Sequence, residues 1–128
     1  MLFPLDSKCN WMLDRPLHPG ACVLSRATLC AGDRAREVLQ WAYESQEELT
    51  TLARRDEAAH ERRVAARFGG IGECMASRET ERRLEAGLQW AVDAHLPVMT
   101  PQLYIGGRRL CDEDTDLGFE YALDALLK

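Results

Sequence analysis

Met99-Thr-Pro-Gln-Leu-Tyr-Ile-Gly-Gly-Arg-Arg-Leu110 decides how this chain is read. Thr100-Pro101 opens an apolar run, Gly106-Gly107 turns it, and Arg108-Arg109-Leu110 returns. Two short runs around a glycine pair predict a β-hairpin, because glycine reaches the positive φ that tight hairpin turns require. Proline cannot donate to a strand ladder, so Pro101 belongs at an edge or a special turn. Downstream, the acids between Asp112 and Asp116 favour the positive end of a closing helix. Phe119, Ala122, Leu123 and Leu126 form its expected buried stripe.

Working upstream, the periodicity predicts a block of helices. Phe3-Pro4-Leu5 reads as a strand stub, and residues 6–20, with Pro16 and Pro19, read as a loop. Ala21 to Ala31 follows as a helix with Val23, Ala27 and Cys30 on one face. Asp33 is the expected N-cap of a second helix, with Ala35, Val38, Leu39, Ala42 and Tyr43 inward. Ser45-Gln-Glu-Glu48 matches a capping box and starts a third. That helix runs or breaks before Phe68, carrying Leu49, Leu52, Val64 and Phe68, and Gly69-Gly70-Ile71-Gly72 stops it. Ser77 caps a fourth, with Leu84, Leu88, Ala91 and Val92 inward, ending near His95 and Pro97. A strand stub, four helices, a hairpin and a last helix make an α/β or α+β layer protein.

Composition sets outer limits. At 128 residues the chain is sized for one domain, 1–128, with its own core. A net charge of −5 argues against nucleic acid as a partner. The pairs Arg54-Arg55, Arg62-Arg63, Arg82-Arg83 and Arg108-Arg109 are interleaved with acids and read as solvated faces. No apolar run approaches the ~18 residues that span a bilayer. Met1 to Asp6 has neither the basic region nor the long apolar stretch of a signal peptide.

Several segments together resemble the DsbA-like thioredoxin family. They are Phe3-Pro4-Leu5-Asp6, Cys9-Asn10, His18-Pro19-Gly20-Ala21-Cys22, Leu29-Cys30-Ala31 and the Thr100-Pro101 hairpin, and they span nearly the whole chain. The chain is especially similar to the thioredoxin-like domains fused to bacterial vitamin K epoxide reductase homologues. The resemblance implies a thioredoxin-like fold with a helical insertion and a cis Thr100-Pro101 peptide. It implies thiol–disulfide exchange with protein thiols or disulfides and with a membrane redox partner, in an extracytoplasmic setting and with no cofactor. Thr100, Pro101 and Gln102 match the family's substrate-binding loop, whose backbone pairs with the substrate chain.

No Cys-x-x-C occurs in these 128 residues. The first strand and the active-site helix of the family therefore have no counterpart, and no residue matches its catalytic cysteines. The expectation is a truncated domain or a misplaced start, or else borrowed or rearranged strands. An open apolar edge also invites strand exchange with a second copy.

Five cysteines remain to be accounted for. Cys22 and Cys30 lie about 12 Å apart along one helix, too far for a bond that needs under ~7 Å. The loop between Cys9 and Cys22 permits a structural disulfide, worth ~3 kcal/mol by loop entropy, with two free thiols as the alternative. Cys30 reads as a small buried hydrophobe, and Cys74 could pair with Cys111. Zinc on Cys9, His18 and Cys22 lacks a fourth ligand and a close cysteine pair, so no metal is expected. His60 is expected on a charged helix face and His95 at a helix C-terminus. The alternative to exchange chemistry is a thioredoxin-like module that holds a peptide at the Thr100-Pro101 edge without catalysis. A mainly helical interaction protein with a peripheral hairpin is a third reading.

Overall fold

The computed structural model describes residues 1–98, 100, 102–110 and 115–128. The chain divides into two compact units, Met1–Leu96 and Pro97–Lys128. Among the described residues the architecture is mixed α/β but mostly helical, with seven α-helices and one two-stranded antiparallel sheet.

The first unit holds α1 (Ala21–Cys30), a 3₁₀ turn (Gly32–Arg34), α2 (Ala35–Glu44), α3 (Gln46–Arg55), α4 (Glu57–Phe68), α5 (Gly72–Met75) and α6 (Arg78–Asp93). α1 is its hub and touches α2, α4, α5 and α6. Small and branched residues on α1 allow this crowding. Val23 and Ala27 are fully buried against Val38 of α2, Val64 and Phe68 of α4, and Ile71 and Met75. Trp41 closes the cluster edge-on to Phe68, with ring centroids 5.4 Å apart, the favoured geometry for two aromatic quadrupoles.

Local chemistry explains where the helices start. Ser77 caps α6 by accepting from the Thr80 amide at 3.2 Å. Asp56 takes an extended conformation (φ −154°, ψ 94°) and accepts from the Ala59 amide at 2.9 Å, ending α3 and capping α4. The expected third helix is thus two helices, broken at a single residue without glycine or proline. Asp33 lies in the 3₁₀ turn instead of capping α2, and the Ser45 side chain makes no cap bond to α3. Leu39, Tyr43 and Val92, expected inward, are exposed.

Residues 3–5 form no strand. Their backbone serves the loop that follows: the Leu5 carbonyl accepts from Leu17 and His18, and the Pro4 carbonyl accepts from Asn10 Nδ2 at 2.9 Å. The Pro4 and Leu5 carbonyls are thus paired locally and not with a neighbouring strand.

In the second unit, β1 (Leu103–Ile105) pairs with β2 (Arg108–Leu110), Leu103 opposite Leu110 and Ile105 opposite Arg108. Gly106 (φ 57°) and Gly107 (φ 82°) both take the positive φ of a two-residue hairpin turn. α7 (Phe119–Leu126) follows, but its expected stripe is only partly buried. Ala122 is inside and Leu123 and Leu126 are half-buried, while Phe119 is 50% exposed.

Candidate functional site

The chemistry-bearing groups of the first unit gather on α1, which carries a disulfide at each end. Cys22, in its first turn, is bonded to Cys9, and Cys30, its last residue, is bonded to Cys74 of α5. Both bridges have Cα atoms 5.9 Å apart, well inside the usual range. The helix keeps Cys22 and Cys30 in separate bonds. Cys30 is therefore not an isolated apolar side chain, and Cys74 pairs with it instead of with Cys111. Cys111 itself lies outside the described residues.

Asp6 organises the N-terminal bridge. Its buried carboxylate accepts from the Gly20 amide at 2.9 Å through Oδ2 and from the Lys8 amide at 3.2 Å through Oδ1. A negative charge held at the N-terminus of α1 opposes the positive end of the helix dipole. The Asp6 carbonyl oxygen lies 3.4 Å from Cys22 Sγ. Asn10 completes the loop, donating to Pro4 and accepting from the Met12 amide at 3.1 Å.

His60 of α4 packs beside this loop and corrects the expectation of a solvated ring. It is 0% exposed, and neither ring nitrogen has a hydrogen-bond partner among the described residues. Burial holds its pKa below the ordinary 6.5; Glu57, Glu61 and Asp6 oppose that shift, and Arg63 adds to it. Burial therefore favours the neutral ring. Gly20 makes room for it: at φ 90°, a Cβ there would meet His60 Cε1 at 2.7 Å and Ala53 Cβ at 2.9 Å.

The C-terminal bridge has different surroundings. Thr80 Oγ1 lies 3.4 Å from both Cys30 Sγ and Cys74 Sγ. Ser77 Oγ accepts from the Thr80 amide and donates to Thr80 Oγ1 at 3.1 Å. Thr80 is buried, while Cys30, Cys74 and Ser77 are half-buried.

Thr100 and Gln102 belong to the second unit, apart in the chain from the four bonded cysteines; Pro101, and with it the expected cis peptide, lies outside the described residues. Gln102 Nε2 donates to the Pro97 carbonyl at 2.8 Å, and the Tyr104 hydroxyl donates to Gln102 Oε1 at 2.9 Å. Thr100 is exposed.

The zinc set considered for Cys9, His18 and Cys22 loses both thiols to the bridge. Among the described residues no group of three or more His, Cys, Asp or Glu is placed to hold a metal. Nor is any described helix long and apolar enough to cross a membrane. An open depression of about 910 Å³ lies along Tyr43–Glu48, Thr51, Leu52, Arg55 and Arg63. It contains the exposed Arg63–Glu48 ion pair but no cysteine or histidine, so this depression is not where the disulfides lie.

No family model matches the chain, and no curated protein or solved structure matches it.

The missed features left signals of different strength. His60, Val64 and Phe68 recur every four residues, a spacing that puts His60 on the buried stripe despite its charged neighbours. The Cys30–Cys74 bond, with a separation of 44, has no sequence signal.

Proposed function

We propose that this chain is a thiol–disulfide exchange module of the DsbA-like, thioredoxin-related type, similar to the domains joined to vitamin K epoxide reductase homologues. The observation that supports this reading is a helix bonded by disulfides at both ends. Bonds of this kind persist in oxidising compartments. The module works outside the cytosol, on protein thiols or disulfides and beside a membrane redox partner. Thr100, Pro101 and Gln102 hold the substrate chain through backbone pairing. These 128 residues contain no Cys-x-x-C, so the chain alone is expected not to catalyse insulin reduction.

An insulin-reduction assay with the purified chain and excess dithiothreitol tests this. The expected rate is that of dithiothreitol alone. Multiple turnovers per chain overturn the assignment of the catalytic dithiol to residues other than these.

The short sheet favours a second reading. β1 and β2 are three residues each, an arrangement suited to holding an extended peptide or a second copy of the chain without chemistry. Saturable peptide binding that survives replacement of all five cysteines by serine supports binding over exchange.

A further inference from the structure

The two disulfides differ in what their sulfurs face, and that difference decides which one an external thiol can open. Cys22 is 3% exposed, and the Asp6 carbonyl oxygen lies 3.4 Å from its sulfur. A carbonyl oxygen offers no proton, and its partial negative charge opposes a thiolate. Cys9 is half-buried, so exposure alone does not separate the two bonds; what separates them is the polar group beside Cys30 and Cys74, which are half-buried too. Both of their sulfurs lie 3.4 Å from the Thr80 hydroxyl.

Thr80 is set up to donate there. It is 1% exposed and held in the first turn of α6. Ser77 donates to Thr80 Oγ1 and takes the Thr80 amide proton in return. With its oxygen already accepting, Thr80 has its own hydroxyl proton left for sulfur. Chained hydroxyls polarise one another, and a bond to an ionised acceptor is about twice as strong as a neutral one.

We propose that Cys30–Cys74 is a thiol-exchange site that accepts electrons from a protein dithiol of the Cys-x-x-C class, with Thr80 stabilising the departing thiolate. The partner's first thiolate attacks Cys30 Sγ, forms a mixed disulfide and expels Cys74 as a thiolate. The partner's second thiolate then attacks its own sulfur in that mixed bond, closing the partner's disulfide and releasing Cys30. Two electrons pass to the Cys30–Cys74 pair, and the two protons given up by the partner's thiols end on Cys30 and Cys74. Cys74 is the better leaving group. Both sulfurs are equally near the Thr80 hydroxyl in the first turn of α6, but Cys30 is the last residue of α1, where the helix dipole disfavours negative charge. A thiol of lower pKa leaves faster. Cys9–Cys22, by contrast, is structural.

The site goes beyond the proposed function and rests on these contacts alone, independent of any family. Thr80 is a positioning residue that acts through sulfur, so its test reads a rate at one bond against a rate at the other. The oxidised chain is exposed to limiting dithiothreitol under native conditions, quenched by acid, alkylated and mapped by mass spectrometry. Cys30 and Cys74 become alkylated about tenfold faster than Cys9 and Cys22, while the far-ultraviolet circular dichroism stays native. Thr80→Val slows opening of Cys30–Cys74 by about tenfold, leaves Cys9–Cys22 unchanged, and Thr80→Ser restores the rate.

Equal rates at the two bonds, faster opening of Cys9–Cys22, or opening only with unfolding overturns the proposal. So does an unchanged Cys30–Cys74 rate in a folded Thr80→Val chain. If that variant does not fold, the ratio in the natural chain decides. Insulin turnover is read separately, so failure of the family assignment leaves this ratio untouched.

Discussion

Replacing Cys30 and Cys74 together by serine tests how far the bridges hold the first unit folded. Their bond closes a loop with a separation of 44, and the Cys9–Cys22 bond one of 13. Loop-closure entropy in the unfolded chain then assigns about 4 kcal/mol to the first and about 3 kcal/mol to the second. The spans 9–22 and 30–74 do not overlap, so the two effects add to about 7 kcal/mol. A domain of this size has roughly 5–15 kcal/mol in all. Either double variant should therefore stay folded, while the four-serine chain approaches its unfolding limit. Urea titration followed by circular dichroism gives the order: natural chain, Cys9→Ser/Cys22→Ser, Cys30→Ser/Cys74→Ser, then all four. A Cys9→Ser/Cys22→Ser chain less stable than the Cys30→Ser/Cys74→Ser chain refutes the loop arithmetic. So does a four-serine chain within ~2 kcal/mol of the natural one.

Three further outcomes follow from single contacts. His60 has a folded pKa below its unfolded 6.5 because burial disfavours the imidazolium. The unfolded chain then binds more protons as pH falls below 6.5, so the stabilisation present above that value is lost on acidification toward the folded pKa. Urea midpoints measured from neutral to about pH 5 should fall less steeply for His60→Leu than for the natural chain. Gly20→Ala meets both the φ of 90° and the contacts at 2.7 and 2.9 Å, and should lower the unfolding free energy by roughly 2–4 kcal/mol. Asp56→Ala removes the cap of α4 and should lower it by ~1 kcal/mol in the same titration.

Much of the helical order was legible because it rests on local chemistry. The Ser77 cap, the Gly69-Gly70 stop and the Gly106-Gly107 turn each need only neighbouring residues, and each appears where the sequence puts it. Features that depend on distant partners were not legible. Residues 3–5 look like a strand by composition, yet a strand exists only with a neighbour, and their carbonyls bind the loop instead. The break at Asp56 hides inside an acid-rich helical stretch, since aspartate serves equally as a helix surface residue and as a cap. Leu39, Tyr43 and Phe119 have helical spacing but are exposed, because periodicity marks a face and not what covers it. At the candidate site, the short Cys9–Cys22 loop was readable as a pairing, whereas Cys30, Cys74 and Thr80 meet only through the fold.

The proposed exchange chemistry, the proposed oxidising setting and the clamped α1 all rest on the same two bonds. A peptide map of the oxidised chain, digested without reductant and with free thiols blocked beforehand, tests them most directly. The account predicts two linked pairs, one joining Cys9 to Cys22 and the other Cys30 to Cys74. Blocked thiols at Cys22 and Cys30, or a linked peptide joining Cys74 to Cys111, would contradict it.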